Sequence, residues 1–236
     1  MIYGFAMRFF SFTGYRNFIL RSFFIGAILS TLLGCKINFD ADLYSSDLIA
    51  LANHEDDQAI SLPMKIEFQV ASCDDLSTQN RIFSTYFSEY EFIGCDVSSE
   101  DFMSYVEAQV STSATNSTEV SDLVGFQVDL SDDEEYVYVY VAINERSFED
   151  LREYVYQETF QELSLKDSNF SVSFINDSSD LNTWIQSSFV DREPIVYQTE
   201  FLLKKREKLS IVLSDVVKSH LEDNSWAPLL IMQNGK

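Results

Sequence analysis

The sequence predicts an α+β fold, a largely antiparallel or mixed sheet with three to four packed helices. Three observations carry that expectation. Apolar and polar residues alternate through residues 64–70 and 170–174, the period of a half-buried strand. In residues 136–143 tyrosines alternate with valines, so both faces are apolar or amphipathic, as suits a strand inside a sheet or covered by a helix. Between such runs Ile82, Phe83, Tyr86, Phe87 and Tyr90 recur at helical spacing and read as a packed helix face.

In chain order the leader comes first. Residues 1–34 contain Arg8, Arg16 and Arg21 but no Asp or Glu, then the apolar stretch 23–29, Ser30, Thr31 and the run Leu32-Leu33-Gly34-Cys35. A basic segment, a short apolar segment and a small-residue cleavage site make a secretory signal. The span from Ser22 to Gly34 holds 13 residues, too few for a transmembrane helix, which needs about 20. The Leu-Leu-Gly-Cys run resembles the lipobox of a bacterial lipoprotein precursor. That resemblance implies diacylglyceryl transfer to the Cys35 sulfur, cleavage of residues 1–34 as signal peptide, and acylation of the freed amine with a palmitate-like chain. Several chains hold a protein permanently where one binds reversibly. Lys36, where Asp would favour the inner membrane, implies transport to the outer membrane in a diderm host. Met7 competes with Met1 as the start, since Arg8 still opens a basic segment. Residues 35–48 with the later Cys73 and Cys95 also resemble the start of an uncharacterised family of proteobacterial lipoproteins often met in mobile elements. That likeness names no catalytic residue and implies no activity.

After the anchor, residues 37–44 read as a strand with Ile37, Phe39, Ala41 and Leu43 on one face, and Ser46-Asp47 as the cap of a short helix to Ala52. Residues 54–58 are polar, and Pro63 marks the start of a strand over 64–70. A helix over 77–91 and a strand over 92–97 follow, then a strand over 105–112 and a Ser/Thr-rich loop over 111–121 with too few apolar residues to be buried. Strands over 123–130 and 136–143 flank the acidic turn Ser131-Asp132-Asp133-Glu134-Glu135. Ser147-Phe148-Glu149-Asp150 resembles a capping box for a helix through Glu162. Phe170, Val172 and Phe174 mark another strand, while Trp184-Ile185 is ambiguous. Residues 195–203 and 209–213 read as a hairpin joined at Lys204-Lys205-Arg206-Glu207-Lys208, with one helix over 199–221 as the competing reading. Ser214-Asp215 caps a helix to Leu221, and residues 227–232 form a closing strand. The domain expectation is a signal peptide (1–34), a membrane-proximal strand, helix and linker (35–62), and an α+β domain (63–236) with a possible division near 163–168.

Without the three leader arginines the chain keeps 13 Lys and Arg against 38 Asp and Glu, a net charge of −25 over 202 residues. Nucleic acid is excluded as a partner, because counterion release needs clustered cations. The one basic cluster, 204–208, reads as a solvated turn. Abundant Phe and Tyr separate the chain from disordered acidic segments. With Cys35 assigned to lipid, Cys73 and Cys95 make an even pair, most simply a disulfide in an oxidising compartment. A loop of that length predicts a contribution of about 3 kcal/mol.

Little catalytic hardware is visible. His54 lies in an acidic loop and His220 near a helix end; neither belongs to a zinc-binding arrangement, and Gly-x-Ser-x-Gly elbows and Gly-rich phosphate loops are missing from the sequence. Glu55-Asp56-Asp57 and 132–135 offer carboxylates to Ca²⁺ but without EF-hand spacing, so they read as solvated loops. No cofactor, metal or catalytic residue is expected. The favoured function is a lipid-anchored cell-envelope protein, binding or structural, with a membrane on one side and another envelope protein as partner. The alternative is an envelope hydrolase using an Asp/Glu pair, which requires a deep cleft with two raised carboxylates, whereas a binder requires an exposed apolar groove or sheet edge.

Overall fold

A computed structural model describes residues 35–74, 76–87, 89–99 and 102–235, so the leader reading over 1–34 lies outside the described residues. Strand β1 (Ile37–Tyr44) starts two residues after Cys35 and buries Ile37, Phe39, Ala41 and Leu43, as its alternation predicts. It runs directly into helix α1 (Ser45–Ala52) and then β2 (Ala59–Val70). Helix α2 (Ser77–Tyr86), strands β3 (Tyr90–Val97), β4 (Ser104–Thr115), β5 (Val124–Leu130) and β6 (Tyr136–Ile143), and helix α3 (Glu145–Thr159) follow. The remainder is β7 (Phe170–Ile175), β8 (Leu181–Ile185), β9 (Ser188–Val190), β10 (Glu193–Ile195), β11 (Thr199–Leu203), β12 (Lys208–Leu213), α4 (Asp215–Asn224) and β13 (Trp226–Gln233).

The fold is α+β, with four helices among the described residues packed on a large mixed sheet that comes close to a barrel. The strand order is β10-β9-β12-β7-β1-β2-β4-β5-β6-β13-β8-β11, with β3 added to β4. Most pairs are antiparallel; β1 with β7 and β4 with β5 are parallel. Near-closure comes from one bent arm, residues 181–190. Its first half, β8, pairs with β13 and its second, β9, with β12, so both ends of the strand path meet on one segment. At the tip, Asp191 and Arg192 adopt φ of 49° and 74°, the two-residue hairpin geometry usually given to Asn-Gly. Without glycine there, the β9–β10 hairpin is invisible in the sequence.

The core lies between the sheet and helices α1 to α4, with Phe39, Phe68, Phe83, Phe126, Phe148, Phe170 and Phe174 fully buried. A separate module over 35–62 is not drawn by the structure: residues 35–236 pack as one unit, and β1 sits between β2 and β7. For the same reason no division falls at 163–168.

Several local expectations are corrected. Helix α2 ends at Tyr86, not Glu91; Phe87 is already extended, and Tyr90 keeps its helix-like contact by stacking on Phe83 from strand β3 (5.8 Å between ring centroids). Pro63 is inside β2, opposite Ser111, just past Met64 where the β1 ladder ends. A residue lacking N–H fits there because one edge is free of β1. Residues 111–115 are strand, not loop: Thr112, Ser113, Ala114 and Thr115 are buried, and the Thr112 and Thr115 hydroxyls donate to the Val124 and Gln58 carbonyls. The two threonines tolerate such burial because they are hydrogen-bonded. Helix α3 starts at Glu145, with Asn144 as cap accepting from the Ser147 N–H (3.0 Å), so Ser147 sits inside the first turn instead of capping it. Helix α1 is not capped from its own sequence. The Asp177 carboxylate accepts from the Ser46 N–H (2.9 Å) and from the hydroxyls of Ser45 and Ser46. Finally, β11 and β12 are strands but not a hairpin; β11 pairs with β8, and β12 with β7 and β9.

Candidate functional site

Cys35 is buried. Its side chain is 1% exposed, its N–H donates to the Glu162 carbonyl (2.9 Å), and its thiol donates to the Gln69 carbonyl (3.5 Å). Burial pushes the thiol pKa up to about 12. A neutral, enclosed thiol is no nucleophile. Any acylation of Cys35 therefore has to precede folding of the β1 end, and the acylated side chain has to leave this seat.

Beside it, Lys36 opens onto the other face, into a polar cleft of about 770 Å³ that also holds Asn38, Glu67, Glu107 and Lys218. Lys65 bridges Glu67 and Glu107 at 3.0 Å each. Burial tends to raise the Glu67 carboxyl, but hydrogen bonds from Asn38 and Lys65 and the Lys65 charge outweigh it and hold the pKa below the usual range. A carboxylate fixed in its ionised form suits a counter-ion to Lys65; a general acid needs the opposite shift. Lys218 is nearly buried and donates to the Lys166 and Ser168 carbonyls (2.8 Å each) while pairing with Asp215 (3.0 Å). Asp129 is raised by burial, but it belongs to β5 and does not line this cleft.

Cys73 and Cys95 are disulfide-bonded, with Cα atoms 5.7 Å apart. The bridge fastens β3 to the chain between β2 and α2. Helix α2 is in turn held to α3 by the Arg81–Glu158 ion pair (3.1 Å) and by Arg81 over the Tyr154 ring. Strand β3 is thus fastened on its inner side by the bridge and by β4. On the outer side it is open: among the described residues β3 pairs with β4 alone. A bulge leaves Ile93 opposite no β4 residue, and Phe92 and Ile93 stand 44% and 53% exposed, flanked by exposed Tyr90 and Val97. An open edge with contiguous apolar side chains is a template for another strand.

Other sequence candidates have local roles. His54 gives its carbonyl to the Asn116 amide, which also binds the Asp56 carbonyl, while the Asn116 side-chain oxygen accepts from Gln58 N–H (2.6 Å). His220 stacks edge-on against Trp226 (5.1 Å) and meets Asn224. In the 131–135 turn the Ser131 hydroxyl and the Glu135 N–H donate to Asp133, whose pKa the Ser131 bond lowers. Residues 204–207 of the basic run make the turn before β12 and Lys208 opens the strand, with the Arg206 N–H donating to the Asn176 carbonyl. The open β3 edge was missed in the sequence, because helical spacing continued through Tyr90 and disguised where the strand begins.

Residues 37–236 match the protein family described as Domain of unknown function (DUF7424), from the first residue of β1 to the end of the chain. No curated protein matches the chain.

Proposed function

The chain belongs to the DUF7424 family, and we propose that its domain is the binding module of a lipid-anchored cell-envelope protein, joined to its membrane through acylated Cys35 and recruiting a partner protein along β3. The observation that carries this reading is the open β3 edge, fastened behind and apolar in front. Main-chain hydrogen bonds from an added strand would give affinity, and Tyr90, Phe92, Ile93 and Val97 would give selectivity. The surrounding charge favours a cationic partner strand, since Glu89, Glu91 and Asp96 flank the edge and the chain from Cys35 onward carries −25. The lipid anchor is supported by the Leu-Leu-Gly-Cys run; Lys36, where Asp would favour the inner membrane, favours the outer one, so in a diderm host the domain would face the periplasm or the surface from the outer membrane. The hydrolase reading finds less support, because Glu67, a half-buried carboxylate of the polar cleft, is shifted down.

A photo-crosslinking amino acid at Phe92 or Ile93, in cells, tests the proposal. The expected result is a discrete protein adduct from both positions, lost when Ile93→Lys is combined with the probe at Phe92, and not formed from Leu202, a still more exposed residue on β11. Adducts from Leu202 alone, or Phe92 adducts indifferent to Ile93→Lys, contradict it.

A further inference from the structure

Eight non-glycine residues among those described have positive φ, and two of them are apolar: Phe102 (φ 59°) and Phe160 (φ 57°). Both rings are exposed, 82% and 76%. A bulky residue in the left-handed region is strained, and an exposed ring adds nothing to the core, so Gly or Asn would serve the fold better at each position. The two lie in different loops that flank the same end of the molecule. Phe160 ends α3 two residues before Glu162, whose carbonyl takes the Cys35 N–H. Phe102 closes the β3–β4 loop by donating its N–H to Ser98, and Ser98 lines the polar cleft with Lys36. Val97, at the root of that loop, is exposed as well.

We propose that this end is a membrane-seating surface in which Phe102 and Phe160 enter the interfacial layer of the bilayer on either side of Cys35. The proposal rests on the lipid-anchor reading, because acylated Cys35 is what brings the bilayer here. The reach of the chain makes contact unavoidable. Ile37 is already the first residue of β1, so only residues 35 and 36 separate the acyl chains from the sheet, about 7 Å when fully extended. A domain held that closely rests its nearest loops in the headgroups, where aromatic rings are favoured. Lys36 and Lys166, on the rims of the polar cleft and its neighbour, can meet lipid phosphates, while Asp96 and Asp167 in the same cleft disfavour strongly anionic lipid. Seating therefore fixes orientation: β3 rises from the bilayer with Val97 low and Tyr90 high.

An environment-sensitive fluorescent amino acid at 102, at 160, or at Leu202 tests this on acylated protein in phosphatidylethanolamine/phosphatidylglycerol (3:1) vesicles with brominated acyl chains. Leu202 is the control because its neighbour Leu203 meets Asn176, just past the β7 end far from Cys35. Quenching at 102 and 160 but not at 202 is expected; equal quenching at all three, or none at 102 and 160, overturns the proposal. A second arm separates the two readings: the chain from residue 35 onward with Cys35→Ser, which packs as one unit, is mixed with the same vesicles. There Phe102→Ser and Phe160→Ser should each lower partitioning about tenfold. That loss supports the wedges even if Cys35 of the cellular protein proves unacylated, whereas partitioning indifferent to both changes overturns them even if Cys35 is acylated. Burial of the two rings in a dimer, seen as sedimentation of a second copy without vesicle binding, also overturns the proposal.

Discussion

Asp177 shows how single residues hold this fold from a distance. Its carboxylate takes the Ser46 N–H in the first turn of α1 and two serine hydroxyls, 131 and 132 residues away in sequence. Burial pushes its pKa up, but the bonds from Ser46 and Ser45 outweigh that and hold it below the usual carboxylate value. Asp177→Ala should therefore destabilise the protein by about 1 to 2 kcal/mol at neutral pH. The sign with pH follows from linkage. A folded pKa below the unfolded one gives stability that is present above the unfolded value and lost as pH falls through the folded value. Melting temperatures of wild type and Asp177→Ala should differ at pH 7 and converge as pH falls below the usual carboxylate range; a gap independent of pH contradicts the role. This contact was not legible in the sequence, where Ser46-Asp47 looks like a self-contained cap. Asn116 escaped in the same way, inside a Ser/Thr-rich run, because what it binds lies near residue 56. Alternation at Ile37, Phe39, Ala41 and Leu43 was legible, since it depends only on neighbours in the chain.

Among elements, the α2–β3 unit carries the most consequence. Cys73–Cys95 closes a 22-residue separation, and reduction should cost about 3 kcal/mol. Denaturant unfolding with and without reductant, together with hydrogen exchange, checks it: α2 and β3 should lose protection first, while β1 and β2 stay protected. Uniform loss, or no change in midpoint, contradicts the placement. The pairing was readable by counting cysteines, and β6 by its Tyr/Val alternation with Val137, Val139 and Val141 buried. Pairing partners were not readable. β11 and β12 adjoin a basic turn like the arms of a hairpin, yet each finds its neighbour elsewhere, because closing the sheet through the bent arm 181–190 supplies partners far apart in sequence. Register and partner choice are set by burial across the whole sheet, which local pattern does not contain.

At the scale of the molecule, an acidic near-barrel is entered by its chain at Cys35, with an open strand on one flank and two exposed phenylalanines at the end where the chain enters. The family match covers this folded unit. Fold class was legible because composition and period bound it; the open β3 edge was not, since being an edge is a property of the assembled sheet. On the proposed acylation, the buried thiol adds an order of events: acylation first, folding of the β1 end second. Both the proposed tether and the proposed seating surface depend on the chemical state of one residue. Mass spectrometry of the amino-terminal peptide of the protein purified from its own membrane fraction measures that state directly. The account predicts a peptide beginning at Cys35 and carrying a diacylglyceryl group on sulfur with an acyl chain on the amine. A peptide that begins upstream of Cys35, or that begins at Cys35 with a free thiol, would contradict it.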